Sequence, residues 1–153
     1  MSYMRSRHHL LLSDDNLEDE AIGFTFYAGE LRTYSENEIV LYEHAVTSYG
    51  DFYNPATASF VCPVHGLYLF SATTMVNGGS NLQCRIMRNS AGLTIDMAYG
   101  NTGIDTGSNP VVTECDVGDI MWVRVQHSAS EGTLGGYSDA PHTTFSGVLI
   151  KAL

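Results

Sequence analysis

Six histidines, three cysteines and seventeen carboxylates are the groups in this 153-residue chain able to catalyse, ligate or cross-link. Their spacing matches none of the usual constellations. There is no GxSxG elbow, HExxH helix, GxGxxG loop or Gly-Lys-Ser/Thr phosphate cradle. Among His44, His65, His127 and His142, no two stand at i and i+2 within a strand, the spacing that places both imidazoles on one face. His8 and His9 are neighbours in a terminal segment without further ligands close by. Asp96, Asp105, Asp116, Asp119 and Asp139 lie beside loops and carry the oxygen donors that calcium takes, but no DxDxDG loop holds them. Asp119 reads equally well as the turn residue of Gly118-Asp119. Cys62, Cys84 and Cys115 include no CxxC pair, which removes zinc ribbons and thioredoxin-like chemistry. They permit one disulfide with one thiol left over, or three reduced buried thiols. The expectation is a binding protein, not an enzyme, with no assigned metal or cofactor and calcium the one cation left open.

The elements that must position these groups are short. Apolar runs rich in β-branched and aromatic residues span 23–27, 39–42, 59–62, 66–75, 82–87, 93–97, 111–115, 120–126 and 143–149. Turn signals separate them, such as Asn77-Gly78-Gly79, Asn89-Ser90-Ala91-Gly92 and Gly118-Asp119. This pattern predicts an all-β sandwich or barrel. No segment carries a capped helical period. Residues 1–21, with the acidic run SDDNLEDE, are expected to form a flexible tail, and residues 22–153 one globular domain.

Composition narrows the partners. Seven Lys+Arg against seventeen Asp+Glu give a net charge of -10. A sequence-independent nucleic-acid binder needs a basic face, and a polybasic membrane anchor needs one too. The Leu10-Leu11-Leu12 run is too short to insert in a membrane or to serve as a signal-peptide core. There is no Asn-x-Ser/Thr sequon.

Two strands are apolar on both faces. In Gly66–Phe70, Leu67 and Leu69 point one way and Tyr68 and Phe70 the other. In 120–125, Ile120 and Trp122 share one face, while Met121, Val123 and Val125 share the other. A strand in a simple sandwich has a polar outer face. A second covering surface is therefore expected, either another subunit or the chain's own loops.

The stretch from Tyr42 to Phe70, YEHAVTSYGDFYNPATASFVCPVHGLYLF, resembles the signature of the C1q globular-head domain of the C1q/tumour-necrosis-factor-like superfamily. Tyr53, Pro55-Ala56-Thr57, Phe60, Cys62-Pro63-Val64 and Gly66-Leu67-Tyr68 with Phe70 carry the likeness. Gly118-Asp119-Ile120-Met121-Trp122-Val123 and Phe145-Ser146-Gly147-Val148-Leu149-Ile150 resemble two further family motifs, in the family's order. Ser48, Tyr42, Ala72 and Ala58 depart from it, Ala58 standing where a Gly is common. The departures, with the lack of a collagen repeat, suggest a divergent, invertebrate-like member.

The resemblance implies a ten-stranded jelly-roll sandwich assembled as a homotrimer; in the family the aromatic side of the Gly66–Phe70 strand closes on the threefold axis, while the residues themselves leave open which face meets the axis and which the sandwich. Tyr68, Phe70, Met121 and Trp122 are the expected interface or core residues. It also implies a Cys62–Cys84 disulfide, leaving Cys115 free. Family members bind immune complexes, microbial surfaces, carbohydrates or receptors. The function it implies is a secreted pattern-recognition lectin of innate immunity, its leader absent from this sequence, that binds glycans, sialic acid among them. Tyr137, Asp139 and His142, in a long Gly-rich loop, would contact sugar. Arg85 and Arg88 would meet an anionic group, unless they form salt bridges instead. The alternatives are a trimeric ligand of a cell-surface receptor, cytokine-like or synaptic-organiser-like, and an acidic matrix or mineral-associated protein.

Overall fold

A computed structural model describes residues 17, 19–129, 133–135 and 140–153. Among them thirteen strands form two antiparallel sheets. They are β1 (Gly23–Tyr27), β2 (Arg32–Thr33), β3 (His44–Tyr49), β4 (Tyr53–Asn54), β5 (Ser59–Val61), β6 (Gly66–Val76), β7 (Asn81–Arg88), β8 (Ala91–Tyr99), β9 (Asp105–Ser108), β10 (Val111–Cys115), β11 (Ile120–Ala129), β12 (Thr133–Leu134) and β13 (Thr144–Ala152). Three of these are two-residue pairings, and the rest match the expected jelly-roll sandwich.

The first sheet runs β2-β12-β6-β13-β1-β3, with β9 and β10 also paired to β6. The second runs β4-β5-β11-β7-β8. The 39–42 run is not a strand of its own, but it follows the edge of β11. Val40 N–H donates to Val123 O at 2.9 Å, Val125 N–H donates to Glu38 O at 2.8 Å, and Ile39 bridges Arg124.

Strand alternation sends one side of each sheet inward. The core is largely aromatic: Phe24 stacks on Tyr53 at 4.9 Å and on Phe60 at 5.1 Å, and Phe60 meets Phe70 edge-on at 5.7 Å. Such ring pairs add about 0.5–1.5 kcal/mol each beyond their burial. Leu17 and Ile22 join this core, so packing begins ahead of β1. Residues 1–16, most of the expected tail, lie outside the described residues.

The turns behave as their residues dictate. Gly118 takes a φ of +92° before β11. Asp119 closes that turn: its carboxylate accepts from Asp116 N–H at 2.8 Å and from Asn89 Nδ2 at 3.0 Å. These hydrogen bonds hold its pKa below the usual carboxylate range. Ala58, at the family's glycine position, adopts a φ of +52°. That is left-handed backbone, which glycine tolerates best.

Two expectations are corrected. Tyr68 and Phe70 are fully buried inside the sandwich, so the aromatic side of β6 faces the second sheet and the leucine side faces out. The implied Cys62–Cys84 disulfide is absent, since all three cysteines are free. Cys84 lies on the inward side of β7, opposite Asp96 and beside Thr74. Cys62 neighbours Cys115, brought close because Cys115 pairs with Gly66.

Candidate functional site

Two outward faces remain once the core is closed. On the first sheet, register aligns Tyr49, Gly23, Val148, Leu69 and Val112 in one row across β3, β1, β13, β6 and β10. Tyr49 is 54% exposed, Val148 45%, Leu69 37% and Val112 56%. Ile150 on β13 and Val46 on β3 are also exposed. Gly23 has no side chain, so the row has a notch between Tyr49 and Val148. Thr25, Thr47, Ser71 and Ser146 in the adjacent row are short, and the resulting groove holds about 340 Å³. Its floor is fixed by Gly147, where a Cβ would come within 2.6 Å of the rings of Phe24 and Phe70. The Phe-Ser-Gly motif thus lets the core rings pack directly under β13.

The second sheet presents a polar face with apolar flanks. Its outward positions include Trp122, whose cross-strand partner Met87 is buried, and Arg124 opposite Arg85. Trp122 is half-buried and its indole N–H donates to Asn89 O at 2.9 Å, which ties it to the β7–β8 turn. Met121, by contrast, is fully buried in the core. Arg85 donates from Nε to Leu93 O at 3.3 Å and from Nη2 to Gly92 O at 3.2 Å. Arg124 donates from Nη2 to Gln126 Oε1 at 2.6 Å.

The sequence paired Arg85 with Arg88, but the structure separates them. Arg88 sits opposite core-facing Met121 and donates from Nη1 to Thr113 Oγ1 and to Glu114 O, both at 2.8 Å. It clamps β7 to β10, sheet to sheet. The arginine that joins Arg85 is Arg124, a pairing that only the β7–β11 register reveals. His142 is exposed, while Tyr137 and Asp139 lie outside the described residues.

The loop carboxylates do not converge. Asp96 is in the core, Asp105 accepts from Tyr99 N–H at 2.9 Å, Asp116 lies 3.5 Å from His65, and Asp119 holds its turn. Among the described residues no three His, Cys, Asp or Glu side chains come close enough to hold a metal. Nor is any described helix long and apolar enough to cross a membrane.

Two face-packed antiparallel sheets, with a Gly-x-Tyr-x-Phe strand in the core and a Phe-Ser-Gly closing strand, define a C1q/TNF-like jelly roll. A C1q domain profile matches residues 24–150, and the chain belongs to the C1q domain family. It is 33% identical over 121 residues to complement C1q tumor necrosis factor-related protein 6 of Mus musculus, covering 77% of this chain and 45% of that protein. It is 32% identical over 108 residues to Caprin-2 of Danio rerio, covering 68% of this chain and 11% of that protein. The chain therefore spans about half the length, or less, of these relatives. The globular domain of zebrafish complement 1qA superposes with a TM-score of 0.69 at 21% identity, covering 88% of this chain and 100% of that one. At that identity the likeness is one of fold.

Proposed function

We propose that this domain is the recognition unit of a secreted pattern-recognition lectin. Three copies assemble through the outward face of the first sheet and present identical sites to glycans or microbial surface polymers. The observation that carries the reading is the row Tyr49–Gly23–Val148–Leu69–Val112. Fully burying a large apolar side chain is worth about 1.5–3 kcal/mol. A continuous exposed row is therefore a strong drive to association, and the notch at Gly23 gives an incoming side chain a seat. Membership of the C1q family supports a closed assembly of like subunits. Threefold repetition suits a lectin, because linked weak sites gain avidity by orders of magnitude when their spacing matches the target. The net charge of -10 repels acidic glycans at long range, though salt screens it within about 8–10 Å. Sialic acid would then depend on local cations, Arg85 first among the expected contacts.

Light scattering tests the assembly and a glycan array tests the ligand. The expected mass is three times the 16.7 kDa protomer. Agglutination inhibited by one sugar class supports the lectin. A stable monomer at micromolar concentration overturns the assembly. An assembled protein with no glycan binding overturns the lectin, and tight binding to a membrane protein without agglutination would replace it with a receptor ligand.

A further inference from the structure

Cys62 and Cys115 come from opposite sheets and meet at one end of the sandwich. Cys62 follows β5 of the second sheet, two residues past Phe60 and on the same inward side. Cys115 closes β10 of the first sheet, opposite Gly66, and also points inward. Each is 1% exposed.

The backbone fixes this meeting. Cys62 N–H donates to Asp119 O at 2.9 Å, and Gly118 N–H donates to Cys62 O at 2.8 Å. The Asp116–Asp119 turn, closed by Asp119 N–H on Asp116 O at 3.0 Å, follows Cys115 directly. Cys62 is therefore pinned to the turn that leads from Cys115 into β11. Side chains complete the cluster. Cys115 Sγ lies 3.8 Å from Met121 Sδ, and Met121 is the cross-strand partner of Phe60. The Cys62 thiol and the Tyr68 hydroxyl both donate to Val64 O, at 3.1 Å and 2.6 Å. A hydrogen bond between the two thiols holds Cys62 below the usual thiol range and Cys115 above it. Cys84 takes no part, since it packs on β7 against Asp96 and Thr74.

We propose that Cys62 and Cys115 are a disulfide site, and that the oxidised domain carries one bond between them, which ties the two sheets together at this end. The structure shows the reduced pair. The oxidant is a small disulfide of the glutathione class. The Cys62 thiolate attacks one sulfur of that disulfide, forms a mixed disulfide and releases one glutathione thiolate. Cys115 then loses its proton, its thiolate attacks the Cys62 sulfur, and the second glutathione thiolate leaves. The protons of Cys62 and Cys115 end on the two released glutathiones, so two protein thiols are oxidised and one small disulfide is reduced.

Both sulfurs are shut off from solvent, so the exchange runs while this corner of the fold is still open, and the finished bond is then sealed in. The loop it closes holds β6 to β10, and a long loop restricts the unfolded chain more than a short one does. The bond needs one protomer alone. Its failure would leave the proposed assembly and glycan binding untouched.

The test refolds the full chain from urea in a buffer of reduced and oxidised glutathione. Free thiols are alkylated under denaturing conditions, and the peptides are mapped without reduction. The expected result is a Cys62–Cys115 peptide pair, with Cys84 the alkylated residue. Cys84→Ala should form the same bond and keep no thiol to alkylate, whereas Cys62→Ala and Cys115→Ala should each keep both remaining thiols. The oxidised wild type should melt about 5–15 °C above the same protein reduced with dithiothreitol, and Cys115→Ala should show no such difference. Three alkylated cysteines after refolding, a bond that includes Cys84, a bond between chains in place of the internal one, glutathione retained on Cys62, or an oxidised form that melts no higher than the reduced one overturns the proposal.

Discussion

Asp96 faces Cys84 across the β7–β8 pair, with both side chains inside the core. Burial raises the Asp96 pKa to about 7, partly offset by the Thr74 hydroxyl, and one carboxyl oxygen has no hydrogen-bond partner. Burial likewise lifts the Cys84 thiol to about 12, with the Asp96 charge adding to the effect. A carboxyl group here is tolerated because it holds its proton.

That proton makes stability depend on pH with a defined sign. An unfolded Asp titrates near 3.9. Between about pH 4 and the native value of about 7, the native chain keeps a proton that the unfolded chain has lost. Stability therefore falls as pH rises through this window and levels off above it, by about 4 kcal/mol in all. Asp96→Asn removes this contribution. Urea unfolding at about pH 5 and about pH 8 should show the wild type losing several kcal/mol relative to the variant, and parallel pH profiles would refute the burial argument.

Gly147→Ala places a methyl group against the rings of Phe24 and Phe70. Overpacking of this kind costs about 1–3 kcal/mol. Thermal unfolding should show the loss, while Ser146→Ala, beside it and facing the groove, should sit close to wild type.

Leu69 and Phe70 are neighbours in sequence with opposite duties. Phe70→Ala opens a core cavity and should destabilise by about 3–5 kcal/mol. Leu69→Glu puts a charge in the outward apolar row; it should leave the protomer folded and reduce the mass seen by light scattering. If Leu69→Glu remains fully assembled, the first sheet's outward face is not the contact.

Peptide mapping after alkylation under denaturing conditions should recover no Cys62–Cys84 cross-link. The two thiols belong to separate neighbourhoods, Cys62 with Cys115 and Cys84 with Asp96.

Local pattern carries much of this fold. β1 and β10 coincide with apolar runs in the sequence, and β5, β6, β7, β8, β11 and β13 overlap others, because β-branched and aromatic residues concentrate where backbone is half-buried. β3 and β9 leave little trace: DTGS is polar or small, and HAVTSY sets its two large apolar residues, Val46 and Tyr49, apart among polar and small ones. Period-two alternation separates Tyr68 from Leu69, but it does not say which side meets the core; that depends on the second sheet. Cysteine and arginine partners are harder still. Cys62 meets Cys115 through the pairing of β10 with β6, and Arg85 meets Arg124 through the β7–β11 register, neither of which is a local property. Arg85 and Arg88 are close in number, yet strand geometry sends them to opposite faces.

The pairing of β1 with β13 gives the domain a direction. Gly23 lies against Val148, Leu149 N–H donates to Ile22 O, and Leu153 N–H donates to His65 O. The beginning of the first strand and the close of the last therefore emerge from one pole, next to the start of β6. The Asn77–Gly79 turn and the β8–β9 loop crown the opposite pole. A tether or fluorescent tag fused after Leu153 would leave from that end, so the far crown would point away from whatever carries the domain.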